Sequence, residues 1–220
     1  MAIAGILLVL FFLGLVIFFF WYASRKPSEE VVLVADSQRG DIETKASLAL
    51  PLSYNQPEGI TFAYTGWVLV KDFTSGFGTK RRIFSKDDCP GLYLDSTSNS
   101  LMVAVKTYGS TETILIPNIP AAKWIHFGIV VNQHAVDVYI NGTLRQHHTL
   151  GQLPDQNDSP VVMGRGWDGV LGRLSYRPRS LTNAEIRKLS QEVPPNDLVA
   201  KTSGPQYFDM SWYIGRLNSD

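Results

Sequence analysis

The chain has 220 residues, with 20 Lys plus Arg against 20 Asp plus Glu and a single cysteine, Cys89. Once one long apolar segment is set aside, the remainder fits one domain with one core. A net charge of zero gives no long-range pull on phosphate backbones, so nucleic acid is not an expected partner.

The apolar segment comes first. No charged side chain occurs from Ala2 to Ala23, and as a helix this run would extend ~33 Å, enough to cross a bilayer core. Ile6, Leu10, Phe12, Val16 and Phe19 are suited to the hydrocarbon. Trp21 and Tyr22 would sit at the headgroup layer, and Arg25 and Lys26 follow directly. A cleaved signal peptide would have a basic start, a shorter apolar stretch and small residues before the cut, so the expectation is an uncleaved single-pass anchor. This makes residues 1–24 the anchor, with the lipid bilayer as partner of residues 2–23, and residues 25–41 a juxtamembrane linker with room for a first strand. Only the α-amino group precedes the span, whereas Arg25 and Lys26 follow it, which predicts a cytosolic C-terminal domain. Asn141-Gly142-Thr143 is a formal glycosylation sequon, but Asn-Gly is also the preferred hairpin turn pair.

Alternation at period two then marks sheet strands. In ITFAYTGWVLV it places Ile60, Phe62, Tyr64, Val68 and Val70 on one side; Leu101, Val103 and Val105 follow, then Val136, Val138 and Ile140. Trp124 to Asn132 is apolar on nearly both faces, which fits a central strand covered by the opposing sheet on one side and by loops on the other. One short helix is expected over residues 182–190, where Thr182 and Glu185 have capping-box spacing and Ile186 and Leu189 can face the sheet.

The segments GWVLV, RRIFSKDDCPGLYLD, NSLMVAVKTYG, KWIHFGIVVN, VDVYINGTL and GWDGVLGRLSYRPRSLTNAEI resemble, in order and spacing, the laminin-G and pentraxin branch of the concanavalin A-like lectin/glucanase superfamily. The resemblance implies an all-β, laminin-G-like jelly-roll sandwich over residues 42–190, preceded by one transmembrane α-helix and followed by a tail over residues 191–220. Folds of this kind host sugar binding, adhesion, hydrolysis and structural roles, so function must come from the site.

Glucanase relatives carry Glu-x-Asp-x-x-Glu on one strand so that two carboxylates flank the scissile bond. That motif is missing from the sequence, and the expectation is a protein that is not an enzyme. Other relatives bind Ca²⁺ through loop oxygens, which implies a Ca²⁺ option at three places: Asp87 and Asp88; Asp155, Asn157 and Asp158; and Asp168. The same residues also simply make turns, and no loop reproduces the family's calcium pattern residue by residue. No cofactor is otherwise expected.

Trp167, in GRGWDG, either stacks on a sugar ring or fills the core. His147 and His148 are adjacent on a strand and point to opposite faces, which argues against a shared metal. Cys89 is expected to be a buried thiol. Lys80, Arg81 and Arg82, with Arg165, Arg173, Arg177 and Arg179 near the end of the domain, either form a solvated strand edge or, if they share a face, could meet an acidic partner or lipid headgroups. Tyr207, Phe208, Trp212 and Tyr213 give the tail more aromatics than disordered tails keep, and mark it for packing or for a protein neighbour.

Two functions from different classes follow. One is a membrane-held structural tether that binds protein neighbours; single-span proteins of this compact design are similar to structural proteins of large DNA viruses with an internal membrane, which implies a virion location and a minor capsid role. The other is a displayed lectin or adhesion module that binds glycans, with or without Ca²⁺, and it requires the opposite topology.

Overall fold

The computed structural model describes residues 12–19, 30–47, 49–52, 55–56 and 59–195. The chain divides into two compact units, Met1–Glu30 and Val31–Asp220. The described part of the first is a helix, α1, over residues 12–19, with Phe12, Val16 and Phe19 exposed. Among the described residues no helix is long and apolar enough to cross a membrane. Ile6, Leu10, Trp21, Tyr22, Arg25 and Lys26 lie outside the described residues, and of the expected span only residues 12–19 are described, as a helix.

The second unit is a sandwich of two antiparallel sheets. In chain order its strands are β1 Val31–Val32, β2 Ser37–Arg39, β3 Thr44–Lys45, β4 Asn55–Gln56, β5 Gly59–Asp72, β6 Arg81–Ser85 and β7 Gly91–Leu94. They continue with β8 Leu101–Lys106, β9 Thr111–Ile116, β10 Trp124–Asn132, β11 Ala135–Ile140, β12 Thr143–Thr149, β13 Val162–Met163 and β14 Asp168–Arg177, and a helix, α2, spans Asn183–Ser190. One sheet runs β1-β14-β5-β10-β11-β12, with β2 also on β14 and β4 on β5; the other runs β3-β13-β6-β7-β8-β9.

The alternating residues meet between the sheets. Phe62, Tyr64, Val68 and Val70 of β5 and Val136, Val138 and Ile140 of β11 share one buried cluster with Leu101, Val103 and Val105 of β8. The core closes within this unit, which gives Val31–Asp220 a fold of its own.

β10 is central, paired with β5 on one side and β11 on the other. Its inner side chains join the core, and its outer face is covered differently from the loops expected. Ile186 of α2 and Leu181 pack on Val130, Ala63 and Tyr139, and Trp67 sets its ring edge-on to His126 at 5.2 Å. Thr182 caps α2 with the reciprocal Glu185 bond that the spacing predicts. The turn beneath that helix is Asn141-Gly142, with φ of 50° and 76°, the left-handed pair a two-residue hairpin requires.

The room for a first strand ahead of residue 42 holds two: β1 and β2 both pair with β14, and Val34 enters the core; strands of two and three residues are too short to show alternation. One expectation is corrected: Lys80 is exposed, but Arg81 is 0 % exposed on a strand paired on both sides, so the basic run is not a solvated strand edge. The Arg81 guanidinium donates to the carbonyls of Phe73 at 2.5 Å, Ser75 at 3.1 Å and Asp95.

Candidate functional site

Three segments rise around one end of the β5–β14 pair: residues 46–47 and 49–52 after β3, the β6–β7 turn, and the loop before β13. Between them lies a cavity of about 420 Å³. Its floor is aromatic because β5 and β14 present every second residue inward. Phe62 meets Tyr64 edge-on at 6.0 Å, and Tyr64 lies 5.0 Å from Tyr176. Tyr176 donates its hydroxyl to the Pro51 carbonyl at 2.9 Å, which fixes the overlying segment.

The opposite wall is held by polar bonds. The Lys86 ammonium donates to the Asn157 carbonyl and, at 3.0 Å, to its Oδ1. Asn157 Nδ2 returns a bond to the Lys86 carbonyl at 3.1 Å. Burial lowers the pKa of Lys86 and pushes the Cys89 thiol in the same wall up to about 12, so Cys89 is a neutral, buried thiol rather than a nucleophile.

The loop carboxylates do converge, on a lysine. Lys106 Nζ stands 2.9 Å from Asp87 and 3.2 Å from Asp155, and these two carboxylates raise its pKa. Asp88 accepts the Tyr93 hydroxyl and lies 3.3 Å from Lys80. Asp158 is at the exposed rim of the cavity, whereas Asp168 lies apart from it at the start of β14, 3.5 Å from Lys71. Among the described residues no group of three or more His, Cys, Asp or Glu is placed to hold a metal, and between Asp87 and Asp155 the positive charge is an ammonium.

Trp167 is 1 % exposed and donates Nε1 to the Arg82 carbonyl at 2.9 Å, with its ring against Gly40. A sugar cannot stack there, so of the two readings the core one describes this residue. The arginines do not form a shared solvent-facing set. Arg177 is buried and donates to Thr65 Oγ1 at 3.0 Å, Arg173 donates to the Val193 carbonyl, and Arg179 forks onto Glu185. Arg165 is exposed, with its backbone bonded to Gly40 and Arg82. Tyr207, Phe208, Trp212 and Tyr213 lie outside the described residues. His147 pairs with Asp137 at 2.6 Å and His148 with Glu112 at 2.7 Å, on opposite faces as adjacency on a strand requires.

The sequence reading treated Ile60, Phe62 and Tyr64 as core and missed that they line a cavity with Tyr176 and Lys86. Its one available signal was Asp155 to Pro160, a polar loop of the kind that leaves a sandwich end open.

With that geometry established, the class is clear: an antiparallel two-sheet sandwich closed by a short helix. Residues 43–187 match the concanavalin A-like lectin/glucanases superfamily, and the chain belongs to it. No curated protein matches the sequence. Among solved structures, the receptor-binding domain of botulinum neurotoxin D superposes with a TM-score of 0.58 at 12% identity, covering 74% of this chain and 47% of that one. A botulinum neurotoxin type C structure, described as showing cell entry dependent on interaction with two ganglioside molecules, gives 0.54 at 12% identity, covering 73% and 50%. The serotype G binding domain gives 0.52 at 14% identity, covering 71% and 46%. This chain therefore spans about half the length of these neurotoxin chains, and what they share is the fold.

Proposed function

We propose that this protein is a non-enzymatic binding domain held at a membrane, with residues 2–23 as anchor and the sandwich as a cytosol-facing tether for a protein neighbour. The observation that carries the reading is the closeness of the two parts in sequence. β1 starts at Val31 and is already paired with β14, while the apolar run ends at Ala23. The residues between could reach at most ~25 Å even fully extended. A domain so tethered works on partners at the bilayer surface. In its narrower form the proposal makes the neighbour a viral capsid built over an internal membrane, with this chain as a minor capsid protein.

The test is the topology of the full chain, with a C-terminal epitope, in microsomes. Digestion of the epitope by added protease, with Asn141 unmodified, is the expected result. An epitope that is protected, or an Asn141 that carries a glycan, overturns the cytosolic tether.

The second reading, a glycan-binding module, is favoured by the fold shared with toxin receptor-binding domains. Binding of residues 31–220 to ganglioside-containing vesicles, and not to vesicles of phosphatidylcholine alone, would put it ahead of the tether.

A further inference from the structure

The outer face of the sheet built on β14, β5 and β10 carries more apolar surface than α2 covers. Phe62, Tyr64, Val68 and Val70 of β5 point into the core, so Ala63, Thr65, Trp67 and Leu69 point the other way. The register then sets Gly172 and His126 beside Trp67, and Val170 and Trp124 beside Leu69. α2 and Leu181 lie over Ala63, Val130 and Tyr139, and Ile186 stands over Gly128, opposite Thr65. Trp67, Leu69 and Val170 belong neither to that cluster nor to the core between the sheets.

Side chains on an outer face stay wet unless other groups lie over them. With the whole chain counted, residues 196–220 included, Trp67 is 6 %, Leu69 7 % and Val170 1 % exposed. Cover therefore extends beyond α2, and Pro195 marks where it comes from. This residue is buried and packs directly on Gly172, where a Cβ would collide with its ring. Arg173 fixes the approach by donating to the Val193 carbonyl at 2.8 Å. Because Gly172 stands opposite Trp67, the chain leaves its described part on this apolar end of the face.

Residues 196–220 follow. Crossing from β14 over β5 and β10 takes ~15 Å, which about five extended residues span, so reach is ample. Their composition suits a cover: Leu198, Tyr207, Phe208, Trp212, Tyr213 and Ile214 are apolar or aromatic, more than a solvated tail keeps.

We propose that residues 196–220 form an intramolecular strap over this outer face, seated on Trp67, Leu69 and Val170. The tail aromatics are then engaged inside the domain, and a protein neighbour can use them as anchors only by first lifting the strap. The assignment does not depend on the topology proposed above.

The experiment compares residues 31–220, whose core closes within that unit, with residues 31–195. Both are labelled with 5-fluorotryptophan, and the shift of each fluorine resonance between H2O and D2O reads the exposure of its ring; Trp67→Phe, Trp124→Phe and Trp212→Phe assign the signals. Trp67 should show almost no shift in residues 31–220 and a clear one in residues 31–195. Trp167, in the core, should stay protected in both and so reports that the shorter chain is folded. A Trp67 signal unchanged by the truncation in a folded chain overturns the strap. If the shorter chain does not fold, nuclear Overhauser contacts in intact residues 31–220 decide. Contacts from side chains of residues 196–220 to the methyl groups of Leu69 and Val170 are expected, and their absence overturns the proposal.

Discussion

Lys86 and Asn157, 71 positions apart, hold each other in both directions: ammonium to Oδ1 at 3.0 Å and Nδ2 to carbonyl at 3.1 Å. This clasp ties the β6–β7 turn to the loop before β13 in one wall of the cavity. Cys89 lies just behind it, 5 % exposed and with its thiol pushed up to about 12. Lys86→Met should therefore loosen the loop, raise the rate at which a disulfide reagent modifies Cys89 by about tenfold or more, and cost about 1–2 kcal/mol of stability. An unchanged thiol rate would show that the loop is held by its other bonds, such as Ala46 N–H to the Val161 carbonyl at 2.8 Å.

Arg81 shows how a residue that reads as surface becomes a structural post. Its guanidinium replaces water for three backbone carbonyls, those of Phe73, Ser75 and Asp95, around the loop between β5 and β6. Arg81→Met would leave those carbonyls unpaired and should destabilise the domain by about 3 kcal/mol in urea unfolding. Arg81→Lys should recover little, because an ammonium cannot reproduce the planar fork.

The sandwich was legible in the sequence wherever strands are long enough to alternate. β8, β10 and β11 fall where Leu101–Val105, Trp124–Asn132 and Val136–Ile140 place them, and the spacing of Thr182 and Glu185 located α2. β1, β2 and β13 were not legible, because two or three residues carry no period and their pairing is decided by β14 and β6. The site was harder still. Asp87 and Asp155 could be picked out as loop carboxylates, but nothing local says that Lys106, on β8, stands between them. The cavity is a property of segments far apart in the chain, and Tyr64 carries the same alternation signal as any core aromatic.

Acid should weaken the fold in two separable windows. His126 is buried against Trp67 on the outer face of β10, and burial, aided by the nearby Arg177, lowers its pKa from 6.5 to about 4. The unfolded chain then takes up this proton at a higher pH than the folded one. Stability is full above about pH 6.5 and is lost as pH falls from there towards 4, by about 3 kcal/mol in all. Glu185 acts lower. Its bonds to Arg179 hold its pKa at about 2 against 4.5, so its contribution is present above about pH 4.5 and fades below. Solvent screens this exposed pair, and its worth is about 1 kcal/mol. Unfolding followed from pH 7 to 3 should show both windows, and His126→Gln should remove the upper one alone.

Tyr64 and Tyr176 lie 5.0 Å apart and should respond oppositely to loss of a hydroxyl. Tyr176→Phe breaks the bond to the Pro51 carbonyl and leaves that acceptor to find water, a loss of about 1 kcal/mol. Tyr64→Phe removes a buried hydroxyl that has no partner among the described residues, so the ligand-free protein should gain about 1 kcal/mol. The comparison can be made from urea midpoints at equal slope. A gain for Tyr64→Phe means that the buried hydroxyl is kept at a cost to stability. A loss comparable to that of Tyr176→Phe would mean that an ordered water already satisfies it.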